Sequence, residues 1–326
     1  MTVGIIGAGL AGLTAARHLH EAGQQVVLVD KGRGPGGRMA TRRIGNATFD
    51  HGAQFFTARD PVFVALVQQW IDAGLVREWC RGFDESSDGH PRYVVERGMN
   101  ALAKHLATGL DLRSPAMAFA LQQTKAPATS AWAIKLDDAS LIACDAVVVA
   151  TPVPQALAIV ITSGIELPAD LRSIDYDRTL ALLVVLDRPA ALPPGPGAVQ
   201  HGDDTFSMIV DNERKGISRV PAVTLHANPQ WSLAWWERDR AETAEALLRA
   251  ARPWLGDAVV LEHQVKRWRL ATPQRLWPER CWIAPGTTAP LVLAGDAFAG
   301  PRVEGAVLSG LAAAQAVLAA IAPPSA

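Results

Sequence analysis

Three observations predict an α/β fold with an α+β domain inserted into it. The first is Gly7-Ala8-Gly9-Leu10-Ala11-Gly12, which follows an apolar strand over residues 3–6 and opens a helix ending near Gly23. The second is a strand over residues 25–29 that delivers Asp30, 18 residues beyond Gly12. The third lies far along the chain. There an apolar stretch over 291–294 runs into Gly295-Asp296, with Arg302-Val303-Glu304-Gly305 just after it.

The first two observations make a Rossmann-type βαβ dinucleotide unit. Gly7 allows the tight turn, Gly9 lets backbone approach a pyrophosphate, and Gly12 lets helix and strand pack closely. The pyrophosphate sits on the helix N-terminus, at Leu10 and Ala11, where unpaired N–H groups and the dipole favour an anion. Asp30, with Lys31 beside it, offers a carboxylate to ribose hydroxyls.

Two further features choose FAD over NAD. Arg33-Gly34-Pro35-Gly36-Gly37-Arg38-Met39 suits a second wrap around the pyrophosphate, with Arg38 donating to phosphate oxygens in a fork. Asp296 is placed to bond a ribityl hydroxyl. A helix beginning near Gly305 aims its positive end at the N1/C2=O edge of an isoalloxazine.

The remaining elements follow from spacing. Phe63, Leu66, Val67, Trp70 and Ile71 recur at helical intervals within 61–75, so one face belongs to the core. Residues 82–92 are polar and read as an exposed loop, and the Gly98-Met99 turn opens a helix through Leu106. Strands are expected over 132–136 and 141–149, the second ending in Ala150-Thr151-Pro152. Beyond it come strands over 179–186, 223–227 and 259–268 and a helix over 239–254. The expected organisation is a discontinuous FAD-binding domain over 1–60, 93–152 and 285–326. A substrate domain covers 61–92 and 153–284.

Composition bounds the function. A chain of 326 residues holds one large or two medium domains. A net charge of −1 gives no support to nucleic-acid or membrane-surface binding. Cys80, Cys144 and Cys281 form neither a disulfide framework nor a metal motif, which fits a reducing compartment. The apolar run over 306–322 is too short for a span and is interrupted by Ser309, Gly310 and Gln315. With no signal-peptide pattern ahead of the first strand, a soluble cytoplasmic protein is expected.

These motifs resemble the two-dinucleotide-binding-domain flavoproteins, the superfamily of amine oxidases and carotenoid desaturases. The implied architecture is that of p-hydroxybenzoate hydroxylase and amine-oxidase-like folds. Within the superfamily the match sharpens. Asp50-His51-Gly52-Ala53-Gln54-Phe55-Phe56-Thr57-Ala58-Arg59-Asp60, Arg97 to Leu102, His226-Ala227-Asn228-Pro229-Gln230-Trp231-Ser232, Lys266-Arg267-Trp268 and Arg302-Val303-Glu304-Gly305-Ala306 look like the bacterial renalases. That resemblance implies cofactor contacts at Met39, Ala53, Gln54, Ala116, Thr151 and Val303, besides the residues already named. It also implies a non-covalent FAD, since no Ser-Gly-Gly-Cys type attachment site occurs.

Renalases oxidise dihydronicotinamide isomers to NAD(P)+ and pass the electrons to O2, giving H2O2. A dinucleotide substrate calls for basic and aromatic side chains, and the candidates are Phe55, Thr57, Arg59, Tyr93, Arg267, Trp268, Arg269 and Arg302, with Thr179 for positioning. Beyond the flavin no catalytic residue is required. Amine oxidases place an aromatic residue ahead of the final Glu-Gly-Ala, where this chain has Arg302, and many carry a lysine on the strand that here reads Thr179-Leu180-Ala181-Leu182-Leu183. A cation at 302 repels a protonated amine and welcomes a phosphate or carboxamide oxygen. Two departures from the family thin the aromatic lining: Leu270 stands where an aromatic is expected, and Ala297 where a tryptophan is expected. Oxidation of another amine or small metabolite, or a flavin-bound redox sensor without turnover, are the competing readings.

Overall fold

The structure, a computed structural model, describes residues 1–84, 88–124 and 130–321. Residues 85–87 of the expected polar loop, and Ala322 at the end of the apolar run, lie outside the described residues. The first elements are β1 (Thr2–Ile6), α1 (Leu10–Glu21), β2 (Gln25–Val29), β3 (Thr41–Ile44) and β4 (Ala47–Asp50). Next come α2 (Pro61–Asp72), β5 (Val76–Cys80), β6 (Arg92–Val95), α3 (Asn100–Ala107), β7 (Asp111–Arg113), β8 (Ala118–Gln123) and β9 (Trp132–Leu136). They are followed by β10 (Leu141–Cys144), β11 (Ala146–Val149), α4 (Val153–Val160), α5 (Ala169–Arg172) and β12 (Tyr176–Leu186). The chain continues through β13 (Ala198–Gln200), β14 (Phe206–Asp211), β15 (Ala222–Ala227), α6 (Pro229–Ala234) and α7 (Arg240–Leu255). It ends with β16 (Val260–Pro273), β17 (Trp282–Ile283), β18 (Leu291–Leu293) and α8 (Arg302–Ile321).

These elements form two compact units. The first comprises Met1–Gly37, Leu102–Asp175 and Pro273–Ala326, and the second Arg38–Ala101 and Tyr176–Thr272. The first unit's six-stranded sheet has the order β17-β18-β11-β1-β2-β7, all parallel except β17. Buried valines, leucines and isoleucines fill β1, β2, β11 and β18, as strands covered on both faces require. The register aligns Ile6 with Val29 and Val149, and Val149 with Leu293, so these four strands end together. Their carboxyl ends therefore bring Gly7, Asp30, Ala150-Thr151 and Gly295-Asp296 to one rim of the sheet, the usual ligand edge of such folds.

The second unit is built on a sheet of order β13-β14-β15-β12-β16, antiparallel from β13 through β12. One face packs on α7 through Leu180, Leu182, Val184, Leu247 and Ala251. The other face, at Leu183 and Ala222, covers Ile44, Ala47 and Phe49 of the β3–β4 hairpin. Helix starts are set by local caps: Asp60 accepts from the Val62 N–H, Asn228 from Trp231, and Asp239 from Ala241 and Glu242.

Three expectations change. Residues 38–60 and 93–101 cluster with the second unit, because the β3–β4 hairpin buries its apolar face on that sheet. Residues 153–175 and 273–284 cluster with the first, where Thr162 bonds both backbone groups of Leu121 on β8. The single strand expected over 141–149 is two. Asp145 breaks it by pairing with both backbone groups of Thr2, so β10 joins β9 while β11 joins β1.

Candidate functional site

The cofactor loop of the first unit is held by its own neighbours. Gly7, at φ +105°, donates to the Val29 carbonyl at 2.8 Å. A Cβ on Gly12 would fall 1.9 Å from the Gly7 carbonyl oxygen, so only glycine lets α1 start this close to β1. Gly9 caps α1 without a side-chain hydrogen bond, at an ordinary extended conformation, and a Cβ there would meet nothing within 4 Å. Asp30 bonds this loop from both sides: one carboxylate oxygen accepts from Ala8 at 2.7 Å, the other from Gly32 at 2.7 Å. Each oxygen retains lone-pair capacity for a ribose hydroxyl. Lys31 is exposed, and Ala116 donates its N–H to the Asp30 carbonyl at 2.8 Å.

The second glycine pair reaches the same loop. Gly36 donates to the Ala8 carbonyl at 2.8 Å, and a Cβ on Gly37 would lie 3.5 Å from the Gly9 Cα. Thr151 adds a polar atom beside Gly7. Its Oγ1 is buried and has no partner among the described residues. An uncapped helix start, open space at Gly9 and an orphaned hydroxyl at one strand-end rim fit a phosphate-bearing dinucleotide.

On the same rim, Gly295 at φ +152° donates its N–H to Ser309 Oγ at 2.8 Å, which ties the Gly-Asp turn to α8. Asp296 is buried behind it. α8 begins at Arg302, a turn earlier than Gly305, and packs on α1 so closely that a Cβ on Gly310 would lie 2.3 Å from the Ala11 carbonyl oxygen. α8 is also long and apolar enough to cross a membrane, the only such helix among the described residues. Its buried face, including Val303, Val307, Ala313 and Val317, is the face expected of a core helix. Gly305 is a packing glycine: a Cβ there would lie 1.7 Å from the Gly300 carbonyl oxygen. Arg302 itself is exposed, at φ +70°.

In the second unit the central piece is residues 50–54. Asp50 is fully buried, and its carboxylate accepts from Lys215 Nζ at 2.8 Å, Met99 N–H at 2.8 Å and Thr41 Oγ1 at 2.5 Å. Lys215 is equally buried, and its Nζ lies 5.7 Å from the centre of the Trp79 ring. Burial pulls its ammonium pKa down, against the opposing pull of Asp50. Sequence reasoning missed this pair, since nothing local to Lys215 marks it as Asp50's partner. His51 stacks on Trp268, with ring centroids 5.2 Å apart, and its carbonyl accepts the Trp268 indole N–H at 2.7 Å. His226 Nε2 lies 3.2 Å from the same carbonyl. Burial pushes both imidazoles down to about 4; nearby Lys266 and Arg42 add to this at His51, and the bond to the His51 carbonyl opposes it at His226. Ala53 donates to the Arg38 carbonyl at 2.9 Å, and a Cβ on Gly52 would meet that oxygen at 2.0 Å.

Several expected ligand contacts are engaged within the protein. The Arg38 guanidinium donates to the Ala271 carbonyl at 3.1 Å and lies 5.5 Å from the Tyr176 ring centre, so it is not an uncommitted phosphate fork. Met39 is buried in the core. Phe55 packs on Trp79 and Phe83, and Tyr93 pairs its backbone and ring with Phe56. Arg59 forms an exposed ion pair with Asp88 at 3.2 Å, and Arg267 lies over the Trp236 ring at 4.8 Å. Thr57 and Thr179 are half-buried, and Arg269 is exposed. The Trp277 backbone pairs with the segment at Ala297, its N–H donating to the Ala297 carbonyl at 2.7 Å and its carbonyl accepting from the Ala299 N–H at 2.8 Å.

Comparison with known proteins agrees with this geometry. A family model described as "Flavin containing amine oxidoreductase" matches residues 66–318, and one described as "NAD(P)-binding Rossmann-like domain" matches residues 5–70. A hydroxyneurosporene desaturase of Rubrivivax gelatinosus is 44% identical over 64 residues, 19% of this chain and 12% of the desaturase. The fold matches a structure named "putative protoporphyrinogen oxidase" from Exiguobacterium sp. 255-15, with TM-score 0.75, 13% identity and coverage of 97% and 98% of the two chains. It also matches a putrescine oxidase bound to putrescine, with TM-score 0.73, 15% identity and coverage of 98% and 99%. The cofactor is FAD, and the loop, the Thr151 hydroxyl and the Gly295-Asp296 turn are the residues that fit it.

Proposed function

Because the chain belongs to the flavin-containing amine oxidoreductase family, we propose that it is an FAD-dependent oxidase of renalase type. Its substrates are 2- or 6-dihydro isomers of NAD(P), which it returns to NAD(P)+. FAD, held by the residues described above, would supply a two-electron acceptor reoxidised by O2, so that the substrate hydride and one solvent proton leave together in H2O2.

The observation that carries this reading is Arg302. A non-glycine residue at φ +70° costs about 1 kcal/mol. A cation in the first turn of a helix opposes the dipole by a further ~0.3–1 kcal/mol. Arg302 bears both costs, and no ion pair with it occurs among the described residues. A residue kept against two local penalties is explained by a ligand. Beside a guanidinium, a protonated amine is repelled, whereas a neutral ring attached to a pyrophosphate is held. The lysine-free strand at Thr179–Leu183 agrees, since it removes a hallmark of many amine oxidases in the superfamily.

The chain's residues then divide the work. Leu10, Ala11 and Gly12 N–H groups and Asp30 bind the dinucleotide half of FAD, while Asp296 and α8 hold its flavin end. His51, neutral above pH 4 and stacked on Trp268, keeps a further cation out of the second unit's polar cluster. Anaerobic stopped-flow mixing with borohydride-reduced NAD, a mixture of dihydro isomers, tests the reading. The flavin absorbance falls with the 2- and 6-isomers and barely responds to ordinary 4-dihydro-NAD. If all isomers leave the absorbance unchanged, the renalase reading is lost.

A further inference from the structure

Arg267 and Trp268 are neighbours in sequence, but the second unit's sheet sends them to opposite faces. Trp268 stacks on His51, directly after the β3–β4 hairpin. Arg267 instead lies over Trp236, and Trp236 packs with Val265 on the α7 core that contains Leu180, Leu182 and Val184. Residues two apart on a strand share a face. On β12 that places Arg178 with Leu180 and Leu182, and on β16 it places Arg267 and Arg269 with Val265.

The result is a cluster of like charge. β12 and β16 are neighbours in the sheet, and Arg178 and Arg267 meet at one indole, their guanidinium carbons 5.1 and 4.8 Å from the centre of the Trp236 ring. Like charges on adjacent strands repel. Arg178 has one carboxylate beside it, Glu237 at 3.7 Å, whose side chain is 88% exposed and therefore offsets little. Arg267 and Arg269 have no ion pair among the described residues. Asp177, at the alternate position of β12, belongs to the other face. A guanidinium lying over an aromatic ring turns its edge N–H donors outward, as the fork that fits a pair of phosphate oxygens.

We infer that Arg178, Arg267 and Arg269, on the α7 face of the second unit's sheet, form a binding site for the diphosphate group of a phosphorylated ligand. Arg267 and Arg269 stand about 7 Å apart along β16, so a diphosphate bridges forks that a single phosphate would engage one at a time. The group is shared by nucleotides and by inorganic pyrophosphate. This site does not rest on the dihydronicotinamide reading, which places its cation at Arg302.

Calorimetric titration of the FAD-loaded protein, whose own pyrophosphate site is filled, tests it with pyrophosphate, ADP and adenosine at low and high salt. Pyrophosphate and ADP are expected to bind, adenosine not, and binding to weaken as salt rises. ADP binding tighter than pyrophosphate marks a nucleotide site, and equal affinities mark the inorganic anion. Arg178→Met and Arg267→Met each weaken binding roughly tenfold or more, and Arg267→Lys, which keeps the charge but loses the fork, falls between. Without ligand the melting temperature of both Met variants holds or rises, because like charge is removed, whereas a merely structural role would lower it. Should Arg178→Met not fold, Arg267→Met, at an exposed position, still decides. ADP and pyrophosphate binding no tighter than adenosine overturns the inference. So does diphosphate binding that is lost in Arg302→Met and kept in Arg178→Met and Arg267→Met. Failure of the dihydronicotinamide reading looks different: the isomers leave the flavin unbleached while diphosphate still binds.

Discussion

In the first unit Asp30 braces the glycine loop from 22 residues away, whereas in the second unit Asp50 relies on Lys215, 165 residues distant. The loop is assembled from one βαβ unit whose parts fold together. Residues 50–54 take shape only when a hairpin, a sheet and a returning loop have already met. A local site tolerates change elsewhere and fails at its own glycines. A site assembled over long range fails through its distant partners, and it carries its charges without solvent.

The largest separation between the two regions comes from Lys215→Met. Removing one partner of a fully buried ion pair strands the Asp50 carboxylate, which costs about 3–5 kcal/mol. Urea unfolding followed by tryptophan fluorescence measures the loss, and a change below about 1 kcal/mol would contradict the weight given to this pair.

Paired glycine variants come next. Gly12→Ala forces a methyl into the Gly7 carbonyl and lowers stability by about 1–3 kcal/mol, with FAD lost on dialysis. Gly9→Ala meets nothing and has an ordinary φ of −76°, so the melting temperature without FAD holds or rises while FAD binding weakens. Equal effects of the two substitutions on apoprotein stability contradict the separate roles given to these glycines.

Acid should strike the second region first. His51 and His226 sit at about 4, below the ordinary 6.5. The unfolded chain therefore takes up protons first as pH falls. The stability linked to these imidazoles is whole above pH 6.5 and drains away toward pH 4, by on the order of 3 kcal/mol for each. His226→Gln flattens the difference between urea midpoints at pH 7 and pH 4.5. An unchanged slope would show that other groups set the acid sensitivity. The smallest effect belongs to Arg59→Ala, which breaks an exposed pair and leaves both melting temperature and dinucleotide binding where they were.

Legibility in the sequence followed the same division. The βαβ unit, the strand delivering Asp30, the Gly295-Asp296 turn and the helix behind it were readable because each is a short pattern with one physical solution. Lys215 was unreadable because a lysine in a polar loop looks like any solvated lysine until Asp50 is buried beside it. The strand break at Asp145 escaped because periodicity records which residues are buried and not which strand they pair with. Arg38 is read from its charge and the glycine pair before it and Arg59 from its charge, and neither signal says that Ala271, Tyr176 and Asp88 engage them. The start of α8 was placed late because a left-handed arginine is not a recognised helix opening.

Substrate charge is the most direct measurement of the central claim. FAD-loaded native protein and Arg302→Met are each mixed without oxygen against dihydronicotinamide isomers and against putrescine, with flavin absorbance followed in both. Native protein is expected to bleach with the isomers and not with putrescine, and Arg302→Met to weaken dinucleotide binding by about 1.5–3 kcal/mol. Rapid bleaching by putrescine, or isomer binding indifferent to Arg302→Met, would contradict the account and return the chain to amine oxidation.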